Sequence, residues 1–405
     1  MKKIFALLSL CLILFACSQS EKETNIPPKD EKHYTIIVSL DGFRWDYPTL
    51  YETPNLNKMA EAGVSAIMLP SYPASTFPNH YTIATGLVPD HNGLVNNSFW
   101  DPETKKYFSI TNDEVRYNPH YYLGEPIWIT AQKQGVKTGV LYWVGSDVPI
   151  KNSHPTYYKV WNDYPQLTDR QRIDTAIEWL QKPEEERPQL IMIYYDEPDG
   201  KGHTYGPVSN ECKFIVNYLD NLMGTLMDKI SKLPIADRVN LIVTSDHGMT
   251  EISKERYVDS NKYLKSEWYD RIAGNTPTSI FTKKEYRETV YNTLKSVEHI
   301  RVWKKEDIPA ELNYGTSNRL GDIVVAPELG WQFSNSVRDN IGAHGYFPES
   351  KDMQVIFYAY GPDFKENYTG SSFVNVDIYP LLAHLLKITP ETTDGKMERV
   401  KQLLK

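Results

Sequence analysis

Runs of apolar, β-branched residues recur along the chain and alternate with stretches of helical periodicity. The first run is Tyr34-Thr35-Ile36-Ile37-Val38-Ser39-Leu40, and it ends at Asp41-Gly42. Similar runs predict strands over 136–143, 190–195, 239–245 and 354–360. Between them the apolar spacing predicts helices over 54–63, 171–180, 211–233 and 379–386, the first with Pro54 at its start and Gly63 at its end. Near-continuous apolar strands separated by helices belong to a parallel or mixed sheet covered on both faces, an α/β fold. Over residues 255–340 the pattern changes to short strands and one helix, 284–297, among polar and proline-bearing loops. This stretch is read as a small cap inserted into a single domain of residues 34–405.

Ligands of open α/β sheets bind beyond the carboxyl ends of the strands. Three predicted strands end in acidic chemistry there. Leu40 is followed by Asp41, Tyr195 by Asp196-Glu197-Pro198-Asp199, and Ser245 by Asp246-His247. His203 stands four residues after Asp199, and His344 lies in "IGAHGYFP". Taken singly, each has an ordinary explanation as a turn, a cap or a loop histidine. Together they offer six carboxylate and imidazole ligands, enough for two divalent ions with three each. Gathering so many carboxylates without cations would be costly through mutual repulsion.

The first residues form a different kind of segment. Lys2 and Lys3 precede a mostly apolar run from Ile4 to Ala16, too short to span a bilayer and laid out as a secretory signal. The run ends Leu14-Phe15-Ala16-Cys17, which resembles a bacterial lipoprotein box with Cys17 lipidated; plain cleavage after Ala16 is the alternative. Residues 18–33 are polar and suit a flexible tether. The expectation is an exported protein held at a membrane by an N-terminal lipid, facing the periplasm or the cell exterior, or else soluble in the periplasm. Lipidation of Cys17 would leave Cys212 alone, with no intramolecular disulfide, as a packing residue in a helix.

Composition narrows the function classes. With 40% hydrophobic and 24% charged residues a large core is within reach. A net charge of -8 and the lack of a long basic tract exclude a broad cationic face for a nucleic-acid polymer. A small anionic substrate stays open, because bound cations supply positive charge locally.

In chain order, Asp41, "STFPNH", "NNSFWDP", "WVGSD", "EPDGKGH", "TSDHGM" and "AHGY" resemble the nucleotide pyrophosphatase/phosphodiesterase family of the alkaline phosphatase superfamily. "FYAYGPDFK" and "FVNVDIYPLLAHLL" extend the resemblance to about residue 388. It implies a doubly wound, mostly parallel central sheet with helices on both faces, and two Zn2+ ions. One ion would be held by Asp199, His203 and His344. The other would be held by Asp41, Asp246 and His247, with Thr76 as a further ligand. Thr76 would be the nucleophile, a weakly acidic hydroxyl activated by a divalent cation. Pro78 would fix the turn that starts the next helix. Asn97 would donate its amide to a phosphate oxygen, with Asn96 as the neighbouring alternative.

The implied reaction is hydrolysis of phosphodiester or pyrophosphate bonds in nucleotides, releasing nucleoside monophosphates through a covalent threonine intermediate. Phe77, Trp161 and Tyr194 match aromatic positions of a base pocket, where stacking contributes about 1–3 kcal/mol. Trp143, Ser146 and Asp147 resemble its far wall, and Arg116 approximates a basic residue for a distal phosphate. Arg44 and Lys201 read as solvated surface charges, so no strong cationic partner for a monoester stands near the ligand segments. Aromatics also form choline sites, which keeps a choline or lipid-headgroup phosphodiesterase open, as it does a phosphonate or phosphomonoester hydrolase. A zinc-binding surface lipoprotein without catalysis is the non-enzyme alternative. The sequence departs from the family pattern after Tyr346, where Phe347-Pro348 replaces an expected acidic or amide residue.

Overall fold

The apolar runs become the strands of one twisted sheet. The structure is a computed structural model and describes residues 31–405; the signal segment and most of the tether lie outside the described residues. The main strands are β1 (Tyr34–Leu40), β2 (Val64–Leu69), β3 (Thr138–Leu141), β4 (Tyr157–Lys159), β5 (Leu190–Tyr195), β6 (Val239–Thr244) and β7 (Val355–Tyr360). Their spatial order is β2-β7-β6-β1-β5-β3-β4, and two short segments, Tyr368–Thr369 and Phe373–Val374, pair on the outer side of β2. Only β7 runs antiparallel to its neighbours β2 and β6; β6, β1, β5, β3 and β4 are mutually parallel. Every residue of β1, β5 and β6 is buried, as central parallel strands require.

Helices flank this sheet in two groups. The helices α1 (Pro54–Ala62), α2 (Thr76–Thr85), α3 (Asp169–Leu180), α4 (Asp199–Tyr205), α5 (Asn210–Ser231) and α6 (Ile378–Leu385) carry most of the packing. α5 packs on α1 and α3, and α6 packs on α2. Cys212 is buried in α5 with its thiol donating to the Gly206 carbonyl, 3.2 Å away, the packing role expected of it. Lys32–Lys405 form one compact unit. Among the described residues no helix is long and apolar enough to cross a membrane.

The differences from the predicted elements have local causes. The strand predicted over 136–143 is reduced to β3 because Tyr142 adopts a left-handed φ of 66°, which ends the extended run. α3 begins two residues early, at Asp169, because Thr168 and Gln171 form a reciprocal capping box. The helix predicted over 284–297 is a 3-10 turn, Lys284–Tyr286, followed by a helix over Arg287–Leu294. In that region an antiparallel sheet orders Tyr269–Gly274, Thr278–Thr282, Ile323–Pro327 and Ile300–Lys304 over its own apolar cluster around Ile280, Val290, Leu294 and Val325.

Buried Arg319 ties this region to the sheet-bearing body. Its guanidinium donates to Asp101 Oδ2 (2.9 Å) and to the carbonyls of Gly93 (2.6 Å), Tyr121 (2.8 Å) and His120 (3.0 Å).

Candidate active site

Adjacency of β6, β1 and β5 brings three carboxyl ends side by side. Asp41 continues β1: its N–H donates to the Tyr195 carbonyl (2.9 Å) and its carbonyl accepts from the Asp199 N–H (3.0 Å). Gly42 turns the chain at a φ of 71°, and a Cβ there would lie 3.0 Å from the Asp199 Cα. Glycine is required at this point by both conformation and space. The Gly42 N–H then donates to Asp246 Oδ1 (3.2 Å) and the Phe43 N–H to Ser245 Oγ (2.9 Å). These bonds lock Asp41 and Asp246 together from the two neighbouring strands.

The remaining ligand candidates come from α4 and two loops. Asp199 and His203 lie one helical turn apart on α4, with His203 Nε2 3.4 Å from Asp199 Oδ2. His247 Nε2 lies 3.3 Å from Asp41 Oδ1 and 3.2 Å from Asp246 Oδ2. His344 follows a two-residue pairing of Gly342–Ala343 with Thr250–Glu251, and its Nε2 lies 3.8 Å from Asp199 Oδ1. Its ring stacks on His247 at 3.8 Å between centroids. Two triplets, Asp41/Asp246/His247 and Asp199/His247/His344, have ligand atoms close enough to hold an ion, and His203 adjoins the second.

Hydrogen bonding suits these groups to metal. His203, His247 and His344 each engage Nδ1 with a backbone carbonyl, of Gly342 (2.8 Å), Gly248 (2.8 Å) and Ala74 (3.1 Å). That bond fixes Nδ1 as the donor and leaves Nε2 as a lone-pair ligand. On the carboxylates, Asp41 Oδ1, Asp199 Oδ1 and Asp246 Oδ2 are buried and lack a hydrogen-bond partner. Buried carboxylate oxygens facing imidazole Nε2 atoms fit a divalent cation that prefers mixed nitrogen and oxygen ligands.

Electrostatics point the same way. Burial, then the charges of Asp246 and Asp199, push the Asp41 carboxyl well above the usual carboxylate range. Burial likewise raises Asp199. Asp246 is also buried, but His247 and His80 outweigh that and hold it below its ordinary value. Burial, then His247 and His203, drive His344 well below an ordinary histidine, so its imidazole is neutral.

Thr76 faces this cluster, its Oγ1 3.1 Å from His247 Nε2. The helix expected after Pro78 starts at Thr76 itself, and Pro78 sits within its first turn, where a missing N–H leaves no bond unmade. Ser75, at the N-cap, makes no side-chain capping bond. The two asparagines separate by their partners. Asn96 commits its amide to the Pro277 carbonyl (3.1 Å), holding the loop of Pro277. Asn97 Oδ1 accepts from the Phe77 N–H (2.9 Å), beside Thr76, and its amide nitrogen has no partner among the described residues.

A cavity of about 350 Å³ runs from Asp41, Thr76 and Asp199 to an aromatic end. Phe77, Trp161 and Tyr194 line it, with Trp143, Asp147 and Arg116 farther along the wall. Ser146 is buried outside that lining, its hydroxyl donating to the Trp143 carbonyl (2.7 Å). Asp147 Oδ2 accepts from the Trp161 N–H (3.0 Å). Tyr194 does more than line the wall: its hydroxyl donates to Asp41 Oδ2 at 2.7 Å. Sequence reasoning missed Tyr142 and Tyr122 in this wall, which carry no motif. It also missed His80, whose Nδ1 bonds the Thr76 carbonyl (3.0 Å) while lying 3.2 Å from Asp246 Oδ2. The "FPNH" stretch contained that histidine, but only its place on α2 shows what it touches.

One expectation needs correction. Arg44 is not a surface charge: it is buried, paired with Asp46 (2.8 Å) and Asp352 (3.1 Å), and donates to the Met249 carbonyl (2.6 Å). A guanidinium with two carboxylates at hand tolerates burial. Phe347, where an acidic or amide residue was expected, stacks on Tyr72 at 5.3 Å, and the Arg301 guanidinium lies over its ring, 4.7 Å from the centroid. The substitution is absorbed by packing, and His344 keeps its bond to Ala74.

The profile of the family described as type I phosphodiesterase / nucleotide pyrophosphatase matches residues 35–347. Ectonucleotide pyrophosphatase/phosphodiesterase family member 5 of Homo sapiens is 33% identical over 97% of this chain and 82% of its own length. Member 1 of Homo sapiens is 35% identical over 96% of this chain, which spans only 43% of that relative. Among solved structures, murine ectonucleotide pyrophosphatase / phosphodiesterase 5, as an inactive threonine-to-alanine variant in complex with AMP, superposes with a TM-score of 0.87. It is 34% identical, with 93% of this chain and all of that chain covered.

Proposed function

The chain belongs to the type I phosphodiesterase / nucleotide pyrophosphatase family, and from that premise we propose that it hydrolyses phosphodiester or pyrophosphate bonds of nucleotides and releases nucleoside monophosphates. The observation that carries the proposal is the position of Thr76 Oγ1, 3.1 Å from His247 Nε2, where the Asp/His cluster meets the aromatic cavity. A threonine-to-alanine variant of the murine relative is described as inactive and holds AMP, in keeping with a threonine nucleophile and a nucleotide pocket.

Asp199, His203 and His344 would hold one zinc ion, and Asp41, Asp246 and His247 the other, with Thr76 beside the second. When bound, the ions supply Lewis-acid charge that acidifies a hydroxyl and neutralises phosphate oxygens. Phe77 and Trp161 orient the base, and Tyr194 and the backbone of Gly42 hold Asp41 and Asp246 in place. Asn97 presents its unpaired amide to a phosphate oxygen, a donor worth about 3 kcal/mol in the transition state of related chemistry. Thr76 Oγ1 attacks phosphorus in line as the bond from phosphorus to the leaving oxygen breaks; the threonine proton passes to solvent, the leaving group departs with the bonding electron pair, and a phosphothreonine diester forms. Water then cleaves that ester and restores the hydroxyl.

The test is turnover of nitrophenyl esters of a nucleoside monophosphate, of phosphate and of phosphocholine by metal-loaded protein. The expected result is preference for the nucleotidyl ester, abolished in Thr76→Ala while its metal content, read by atomic emission, is retained. Full activity of Thr76→Ala would sink the covalent route. Preference for phosphocholine would overturn the assignment of Phe77 and Trp161.

A further inference from the structure

Phe347, in place of the expected acidic or amide residue, opens a row of aromatic rings behind the Asp/His cluster. It follows His344 by three residues. Its ring stacks on Tyr72, with 5.3 Å between centroids and 7° between planes. Tyr72 precedes Thr76 by four residues and meets Tyr314 edge-on at 5.1 Å. The Tyr314 hydroxyl donates to the carbonyl of Val95 (3.1 Å), two residues before Asn97. The row therefore touches in turn the loops that carry His344, Thr76 and Asn97. Tyr72 and Tyr314 are buried and Phe347 is half-buried. None of the three lines the aromatic cavity of the site.

The loops of His344 and Thr76 are joined both at the site and behind it. At the site, His344 Nδ1 donates to the Ala74 carbonyl (3.1 Å). Behind it, Phe347 stacks on Tyr72. A single hydrogen bond fixes a distance, whereas two separated contacts also fix the angle between the loops. Asn79 Nδ2 donates to the carbonyls of Pro73 (2.8 Å) and Ser75 (2.9 Å), which binds this stretch to α2, the helix that begins at Thr76. A parallel ring pair has a preferred separation and offset that an aliphatic side chain of similar size does not impose.

We propose that Phe347 is a positioning residue for the reaction. Its stack on Tyr72 sets Thr76 against His344 and, through Tyr314, sets the Asn97 loop against both. The proposal rests on the reading of Thr76 as nucleophile and His344 as metal ligand. A misplacement of about 1 Å at such groups can cost about a hundredfold in rate.

The experiment measures kcat and KM of zinc-loaded variants with the nitrophenyl ester of thymidine monophosphate. Phe347→Leu lowers kcat about tenfold or more and changes KM less than about twofold, because Phe77 and Trp161 keep their places in the cavity. Phe347→Tyr, which keeps a ring, retains most of kcat. Tyr72→Leu matches Phe347→Leu, and the double variant loses little more than either, as one shared contact requires. Phe373→Leu is the control for stability alone: that buried ring meets Phe357 edge-on at 5.0 Å, and its loss lowers Tm with kcat unchanged. An unchanged kcat in Phe347→Leu, an equal loss in Phe347→Tyr, or additive losses in the double variant overturns the proposal. Should Tyr72→Leu not fold, the contrast between Phe347→Leu and Phe347→Tyr decides. Failure of the nucleotide reading would show separately, as preference of the unmodified protein for nitrophenyl phosphocholine. The same variants are then measured on that ester, and the loss of kcat must persist. If no ester is turned over, zinc is the probe. Phe347→Leu must then weaken zinc binding about tenfold against a chromophoric chelator, with Phe347→Tyr restoring it, or the positioning role is overturned.

Discussion

Tyr194 shows what a single residue conveys before and after its surroundings are known. From sequence it is an aromatic in a pocket wall, which the cavity shows it to be. Its hydroxyl, however, is spent on Asp41 Oδ2 at 2.7 Å, a contact across 153 positions that no local spacing encodes. Removing it frees a buried carboxylate from the bond that orients it. Groups that hold a metal ligand from behind are worth 10- to 100-fold in affinity. Tyr194→Phe is therefore expected to weaken zinc binding about tenfold in competition with a chromophoric chelator, with the base stacking surface intact. An unaltered affinity would mean that Asp41 is fixed by its backbone bonds alone. The choice between Asn96 and Asn97 has the same character. Both residues were legible as candidates, and only the partner of each amide, the Pro277 carbonyl in one case and none in the other, divides the roles.

At the scale of elements, the ligand segments were legible because they sit where physics puts ligands in this architecture. Asp41, Asp199 and Asp246-His247 follow three apolar runs, and those runs are adjacent parallel strands. Asp199 and His203, four apart, share a helix face. What could not be read was how the loops approach one another. Gly42 is the clearest instance: as half of an Asp-Gly pair it reads as any turn, yet it lets the β1 loop pass the start of α4 so closely that a methyl group would lie 3.0 Å from the Asp199 Cα. Gly42→Ala meets both a left-handed φ and a Cβ contact of 3.0 Å with the Asp199 Cα. The expected cost is about 1–3 kcal/mol in urea unfolding. Because the strain falls between Asp41 and Asp199, kcat/KM should also fall at least tenfold, by about 1.4 kcal/mol or more. Loss of stability with normal kcat/KM would mean that the two ligand groups move together.

For the whole molecule, the long buried strands announced the sheet, while the region of 269–327 was legible only as short strands, without their bounds or pairing. Three of its strands, Tyr269–Gly274, Thr278–Thr282 and Ile300–Lys304, are short and partly exposed, so neither a continuous apolar run nor clean alternation marks them, although Ile323–Pro327 is buried throughout. The attachment of this region through Arg319 to three backbone carbonyls and Asp101 is a tertiary fact without a motif. The Asp/His cluster likewise couples the whole fold to its metal. It joins β1, β5 and β6 to the loop of His344, and three of its carboxylate oxygens, Asp41 Oδ1, Asp199 Oδ1 and Asp246 Oδ2, are buried without a hydrogen-bond partner among the described residues. Charges gathered in this way oppose folding until cations offset them, so the metal should act as a structural clasp as well as a catalytic group. A ligand that binds only the folded state at about a thousandfold over its Kd adds about 4 kcal/mol. Chelation should accordingly lower Tm by about 5 °C or more in scanning calorimetry, with restoration on adding zinc back. Thr76→Ala should show the same shift, since it removes the nucleophile and leaves the carboxylates. An identical Tm with and without chelator would mean that the fold already carries the repulsion of Asp41, Asp199 and Asp246 unaided, and the cluster would then have to be read as partly protonated.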